Sequence, residues 1–179
     1  DIRLTLFNFA EGEFSKATDH SAGAAQIDLI YNKEAIIQAR KDADFIIVSV
    51  HAGKEFQHFP SPWIQELYRN YIDFGADVVI GHHPHIPQGI ELYKNGIIAY
   101  SLGDFMFEYG SDPGTSATFA LDIAFGKKHI HSLKVIPMRK EKNGTMALLE
   151  GPDKMTFIQH MNQLSAPLGD DEEIKKLHS

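Results

Sequence analysis

The chain has 179 residues, enough for one well-buried core with a small appendage and too few for two large domains. A net charge of -7 argues against a general nucleic-acid binder, which would present a basic face. With no cysteine there is no disulfide scaffold, thiolate zinc site or cysteine nucleophile, and no run of 18 apolar residues offers a membrane span.

Arg3 to Phe9 reads as a strand, and residues 10–25, rich in Gly, Ala, Ser and Thr, as a mobile loop. Asn32 is placed to cap a helix over Lys33 to Lys41, with Ala35, Ile36 and Ala39 facing inward. Phe45 to Val50 lacks polar alternation and is β-branched-rich, the mark of a strand buried on both faces. A helix follows with Ser61 as N-cap and Pro62 at the first position. Its inner residues are Ile64, Leu67, Tyr68, Tyr71 and Ile72, and Gly75 supplies the stop.

Val78 to Ile80 is the next strand, so strand, helix and strand form a parallel βαβ unit. Lys94-Asn95-Gly96 reads as a hairpin turn between Ile90–Tyr93 and Ile97–Ser101. Antiparallel strands are expected near 117–125, 130–137 and 145–149, with Gly126-Lys127-Lys128 as a turn. From Pro152 the pattern is helical, with Met155, Ile158 and Leu164 inward. The acidic run Asp170 to Glu173 reads as a solvated helix start before Ile174 and Leu177. The chain thus divides into a core, 1–150, and a helical C-terminal extension, 151–179, that packs on it.

The chemistry concentrates after the second and third strands. Gly81-His82-His83-Pro84-His85 places three of the ten histidines within four residues at a strand end, where imidazoles pack poorly and need partners. Pro84 stiffens the run and Gly81 is read as allowing a sharp exit from the strand. Parallel neighbours carry their carboxyl ends on one edge, roughly 5 Å apart, so His51 meets this cluster. Glu55 hangs over the same edge, and the turn Ser101 to Phe105 brings Asp104 nearby.

Imidazole nitrogens with a few oxygens suit Zn, Mn or Fe, whereas Ca and Mg want more oxygen. His82 remains open between ligand and supporting residue, Glu55 between loop carboxylate and catalytic group, and Asp104 between turn former and site residue. A histidine outside the ligand set has the chemistry to protonate a leaving group. His129 and His131 flank a basic hairpin and Asp19-His20 lies in the loop; neither pair has a supporting context.

Three motifs stand in order: His51-Ala52-Gly53-Lys54-Glu55, Gly75 to His85, and Tyr100-Ser101-Leu102-Gly103-Asp104-Phe105. At these residues the chain resembles the capsule-synthesis CapA, or poly-γ-glutamate synthesis, family of the calcineurin-like metallophosphoesterase superfamily. The family's runs are His-Trp-Gly-x-Glu, Gly-Ala-Asp-x-Val-Ile-Gly-x-His-Pro-His and Tyr-Ser-Leu-Gly-Asn-Phe. The match covers residues 1 to about 125 and corresponds to the C-terminal half to two-thirds of such a domain.

The resemblance implies an α/β fold, a metallophosphoesterase-like β-sandwich flanked by helices and here lacking the N-terminal strands with their Asp and Asn-His ligands. It implies His51, His83 and His85 as ligands of a divalent transition metal (Mn, Zn or Fe), with His82 and Glu55 beside them either supporting the ligands or acting as acid/base residues. It further implies metal-assisted hydrolysis or transfer on an anionic polymer or phosphoester, at the cell envelope, with an anchor in the parent protein. A longer parent, a partner chain or a second copy is expected to complete the sheet. The competing expectation is a non-catalytic scaffold or accessory subunit of a polymer synthase, or a metallophosphodiesterase unrelated to capsules. Two departures stand out. Ala52 replaces Trp and is expected to remove an aromatic wall from the site; Asp104 replaces Asn and adds a possible negative charge.

Overall fold

A computed structural model describes residues 1–12, 16–106, 117–141 and 143–169. In chain order the first sheet and its helices are β1 (Leu4–Ala10), α1 (Leu29–Ala39), β2 (Phe45–His51), α2 (Pro62–Phe74), β3 (Val78–His82), β4 (Ile90–Tyr93) and β5 (Gly96–Ala99). There follow β6 (Ala117–Phe125), β7 (Ile130–Lys140), β8 (Met146–Leu148) and α3 (Gly151–Ser165). The five-stranded sheet has the order β1-β2-β3-β5-β4, parallel except for β4, and β6-β7-β8 form an antiparallel sheet. The chain is therefore a mixed α/β protein of two sheets and three helices.

Local chemistry explains α2 closely. The Ser61 hydroxyl accepts from the Ile64 N–H, Pro62 opens the helix, and Gly75 at φ +119° lets the chain turn back with its N–H on Ile72 O. The stripe of Ile64, Leu67, Tyr68, Tyr71 and Ile72 is buried against the sheet, where Phe9 stacks on Tyr71 at 5.6 Å. Ile46, Val48 and Val50 face the same helices, while Phe45 turns to the other side and meets Phe125 of β6 at 4.7 Å. Both faces of β2 are thus covered near its start, as its unbroken apolar run requires.

Four local readings change. Helix α1 begins at Leu29, capped by Asp28, whose Oδ1 accepts from the N–H groups of Ile30 and Tyr31 at 3.0 and 3.1 Å. Asn32 lies a turn inside and is buried. Its Oδ1 accepts from the Asp28 N–H and from the Tyr71 hydroxyl, so it ties α1 to α2 rather than starting the helix. Asp28 and Asn32 are equally good caps by type, and the contact with Tyr71 decides between them. The segment after β1 is not an unpaired loop over its described length, since Ala17 N–H bonds Ala24 O and Ile27 N–H bonds Ala10 O.

The β4–β5 turn is Lys94-Asn95, with Lys94 at φ +53° and Gly96 already paired with Tyr93. On α3 the buried residues are Phe157, Met161 and Leu164, spaced i, i+4, i+7, while Met155 is 66% exposed and Ile158 is partly buried. That stripe packs on Phe119, Ile90, Leu102 and Leu149, and Leu168 beyond it joins the main core. Residues 170–179, with the acidic run and Ile174 and Leu177, lie outside the described residues.

Candidate metal centre

Parallel pairing sets the site's frame. Ala10, His51 and His82 are consecutive partners across β1, β2 and β3, so three strands end at one level. Gly81, just before, does not form the exit turn, because it is still within β3. Its role is close approach. A Cβ there would lie 1.9 Å from Tyr100 O and 2.8 Å from Tyr68 Cε2, so only hydrogen fits between β3 and the aromatic pair below.

The turn itself is made at His83 and His85, whose φ values are +100° and +61°. Each such backbone costs about 1–3 kcal/mol for a residue with a Cβ and persists only where neighbours impose it. Pro84 between them accepts at its carbonyl from the Phe56 N–H, 2.9 Å away, which pins the loop carrying Glu55 onto the histidine turn.

Side chains from four segments meet there. The ligand atoms of Glu55, His83 and His85 all lie within 4.8 Å of one another. Glu55 Oε1 is 3.6 Å from His85 Nε2, and Glu11 Oε1 is 3.6 Å from His83 Nε2. The His51 ring stands 4.9 Å from that of His83. The structure therefore gathers His51, Glu55, His83 and His85 and adds Glu11. Sequence reading missed Glu11 because its only local signal is its place after β1. Its other oxygen accepts from Gly53 N–H at 3.4 Å, joining the loops after β1 and β2.

His85 is oriented from behind. Its Nδ1 is 2.8 Å from Asp104 Oδ1, and Asp104 is buried. An ionised carboxylate there makes Nδ1 the donor and leaves the Nε2 lone pair directed at the cluster. This settles Asp104 as a residue in contact with the site. Its second oxygen, Oδ2, is buried without a hydrogen-bond partner among the described residues, which is unfavourable unless positive charge lies nearby. Mixed imidazole and carboxylate donors, a supporting carboxylate and no thiolate fit a divalent transition cation.

His82 lies on the wall of a cleft of about 450 Å³ shared with His51, His83, His85, Leu102 and Phe119, outside the three-residue donor group. Burial holds the His82 pKa below the ordinary histidine value. The His51 pKa is also lowered, first by burial and then by His83, His82 and His85. Both rings are thus neutral at pH 7. Ala52 is buried and faces a different cavity, behind the 52–60 loop, so its small side chain opens that space rather than the histidine cleft. His20, His129 and His131 are exposed at other places, whereas His58 and His160 form an edge-on pair at 6.1 Å.

Residues 6–109 match the family described as "Bacterial capsule synthesis protein PGA_cap". The "Capsule biosynthesis protein CapA" of Bacillus anthracis is 35% identical over 127 residues, covering 68% of this chain and 29% of that protein. The "PGA biosynthesis protein CapA" of Bacillus subtilis (strain 168) is 36% identical over 104 residues, covering 58% and 27%. A "Probable polyglutamine synthesis accessory protein" of Mycobacterium tuberculosis (strain CDC 1551 / Oshkosh) is 32% identical over 74 residues, covering 41% and 20%. The chain spans less than a third of the length of each of these relatives. The family match runs through β2, α2, β3 and the Ser101–Asp104 turn, the segments that supply His51, Glu55, His83, His85 and Asp104, and on it the chain belongs to the bacterial capsule synthesis protein PGA_cap family.

Proposed function

We propose that this chain is the metal-binding part of a CapA-like protein of capsule or poly-γ-glutamate synthesis, acting at the cell envelope on an anionic polymer or phosphoester. The convergence of Glu55, His83 and His85, with His85 held by Asp104, carries the reading. His51, His83, His85 and the carboxylates of Glu11 and Glu55 hold a divalent Mn, Zn or Fe ion. When bound, such an ion polarises a phosphoryl or acyl oxygen and lowers the pKa of a coordinated water.

The chain's own residues do the rest. Asp104 keeps the proton on His85 Nδ1. His82, neutral and lining the cleft, moves a proton to or from the reacting group. The fold reading is a metallophosphoesterase-like sandwich, supported by the packing of Phe45 on Phe125 between the two sheets. Leu4 and Leu6 on the edge strand β1 are 46% and 55% exposed, and the remainder of a longer protein or a partner chain covers them in this reading. No helix among the described residues is long and apolar enough to cross a membrane.

Metal analysis of the purified protein, with phosphodiesterase and γ-glutamyl hydrolase assays, tests this. Stoichiometric transition metal and turnover, both lost in His83→Ala, are expected. A second reading, a non-catalytic accessory subunit, is favoured by the accessory function in the name of the mycobacterial relative. A metal-free, inactive protein that still binds polyanion would establish it in place of the first.

A further inference from the structure

Among the described residues other than glycine, Phe56, His83, His85 and Lys94 carry a positive φ. Lys94 makes the β4–β5 turn, and the two histidines make the turn after β3. Phe56 follows Glu55 on the facing loop at φ +59°, with its N–H donating to Pro84 O at 2.9 Å.

Phenylalanine is costly there on two counts. A left-handed backbone suits glycine or asparagine, and the side chain is 41% exposed, where water favours a polar group. The ring's place is at the site, with its centroid 6.0 Å from that of His85. A second exposed phenylalanine stands in a matching position. Glu55, at His85 Nε2, is followed by Phe56, and Asp104, at His85 Nδ1, is followed by Phe105, which is 51% exposed.

The cleft continues this character. Beside its histidines and Asp104, its walls include Ile80, Leu102, Phe105, Phe119 and Leu121, and its volume of about 450 Å³ is far more than an anionic head group fills. Imidazoles on one wall and apolar side chains on the rest suit an anion joined to an apolar substituent.

We infer that the histidine cleft takes a phosphoester whose substituent is apolar, with Phe56 and Phe105 as the residues that set this preference. The inference rests on the metal-site reading above for the head group and deepens it by naming the group that flanks it. A hydrophilic substituent leaves both rings and the cleft wall in water, whereas an alkyl or aryl group removes them from it. The strained backbone of Phe56 is the cost of holding its ring beside His85.

Phenylphosphonate and methylphosphonate test this, because they share a head group and differ only in the substituent. In calorimetric titration of the Mn-loaded protein, at a pH where both are dianions, phenylphosphonate is expected to bind about tenfold more tightly. Phe56→Gly and Phe105→Ser should each cut that preference severalfold and leave methylphosphonate affinity and metal content unchanged. Phe56→Gly, relieved of the strained backbone, should also unfold at a urea midpoint no lower than the parent's; Phe105→Ser decides alone if that variant does not fold. Equal affinities for the two phosphonates in the parent, or a preference unchanged in both variants, overturn the inference. A lower midpoint for Phe56→Gly with its preference intact shows that the ring serves packing, and overturns the assignment of Phe56. A metal-loaded protein without the preference sinks this inference alone, and a protein that takes up no metal yet keeps a Phe56-dependent preference sinks only the metal reading.

Discussion

His85 Nδ1 lies 2.8 Å from Asp104 Oδ1, joining the turn after β3 to the turn after β5 across nineteen residues of chain. The pair fixes the tautomer of a histidine whose other nitrogen faces Glu55 and His83. Asp104→Ala is expected to lower divalent-metal affinity by about 10–100-fold. Asp104→Asn keeps an acceptor for Nδ1–H and should lose less. Competition with a chromogenic chelator reads both, with circular dichroism to confirm folding.

Gly81→Ala should be among the most damaging small substitutions in the chain, because the new Cβ meets backbone at Tyr100 O, 1.9 Å away. A backbone carbonyl directly after β5 cannot swing aside as a side-chain tip does. The expected loss is roughly 3 kcal/mol, at the upper end of overpacking costs. Urea unfolding measures it; a variant within about 0.5 kcal/mol of the parent would show that β3 and β5 separate readily.

Beneath the site, Arg69 donates to Glu91 Oε1 through Nε and Nη2 at 2.9 and 2.6 Å, and the Tyr100 hydroxyl donates to Glu91 Oε2 at 2.6 Å. Glu91 is 6% exposed and Tyr100 fully buried. Removing the carboxylate takes these two bonds from the Arg69 guanidinium and leaves the buried Tyr100 hydroxyl without its acceptor, so Glu91→Leu should cost about 3–5 kcal/mol. The double variant Arg69→Met/Glu91→Leu should recover much of it, since the guanidinium is then removed together with its carboxylate. A double-mutant cycle by chemical denaturation gives the coupling.

The inward face of α3 is testable by contrast. Phe157 is buried with its ring 6.1 Å from Phe119, whereas Met155 is exposed. Phe157→Ala is expected to cost about 3–5 kcal/mol. Met155→Ser should stay within about 0.5 kcal/mol. Thermal melts distinguish them directly.

Acidification should loosen the contact between the 52–60 loop and α3. The His160 pKa is lowered from the ordinary 6.5 by burial and by His58. The unfolded chain therefore takes up this proton first, so the contribution is complete above pH 6.5 and falls as pH drops through the folded value. The melting temperature should decline from pH 7 toward 5, and His160→Asn should flatten part of that decline. His51 and His82 are lowered in the same direction and so contribute with the same sign.

Most of the element order was legible because its signals are local. Ser61, Pro62 and Gly75 bound α2 through hydrogen bonds within a few residues, and the apolar run of β2 demands burial on both faces. From the βαβ unit it follows that His51 and His82 to His85 share one sheet edge, since a parallel crossover leaves little choice. The resemblance at the three motifs pointed to the PGA_cap family that residues 6–109 match.

The start of α1 and the buried face of α3 were misread for a common reason. Asp28 and Asn32 are both competent caps, and several sides of α3 carry apolar residues, so a partner elsewhere in the chain decides. Tyr71 makes that choice for Asn32, and Phe119 with Leu102 makes it for Phe157 and Met161.

Composition and spacing by themselves determined that three histidines end β3 and that His51 joins them from β2. Tertiary structure alone decided that Glu11 reaches His83, that Asp104 holds His85, and that Ala52 opens a cavity behind the loop instead of widening the cleft. The first follow from strand period and crossover geometry, which act over a few residues. The second depend on the register of β1 against β2 and on the path of the chain after β5, and those are set by packing between segments distant in sequence.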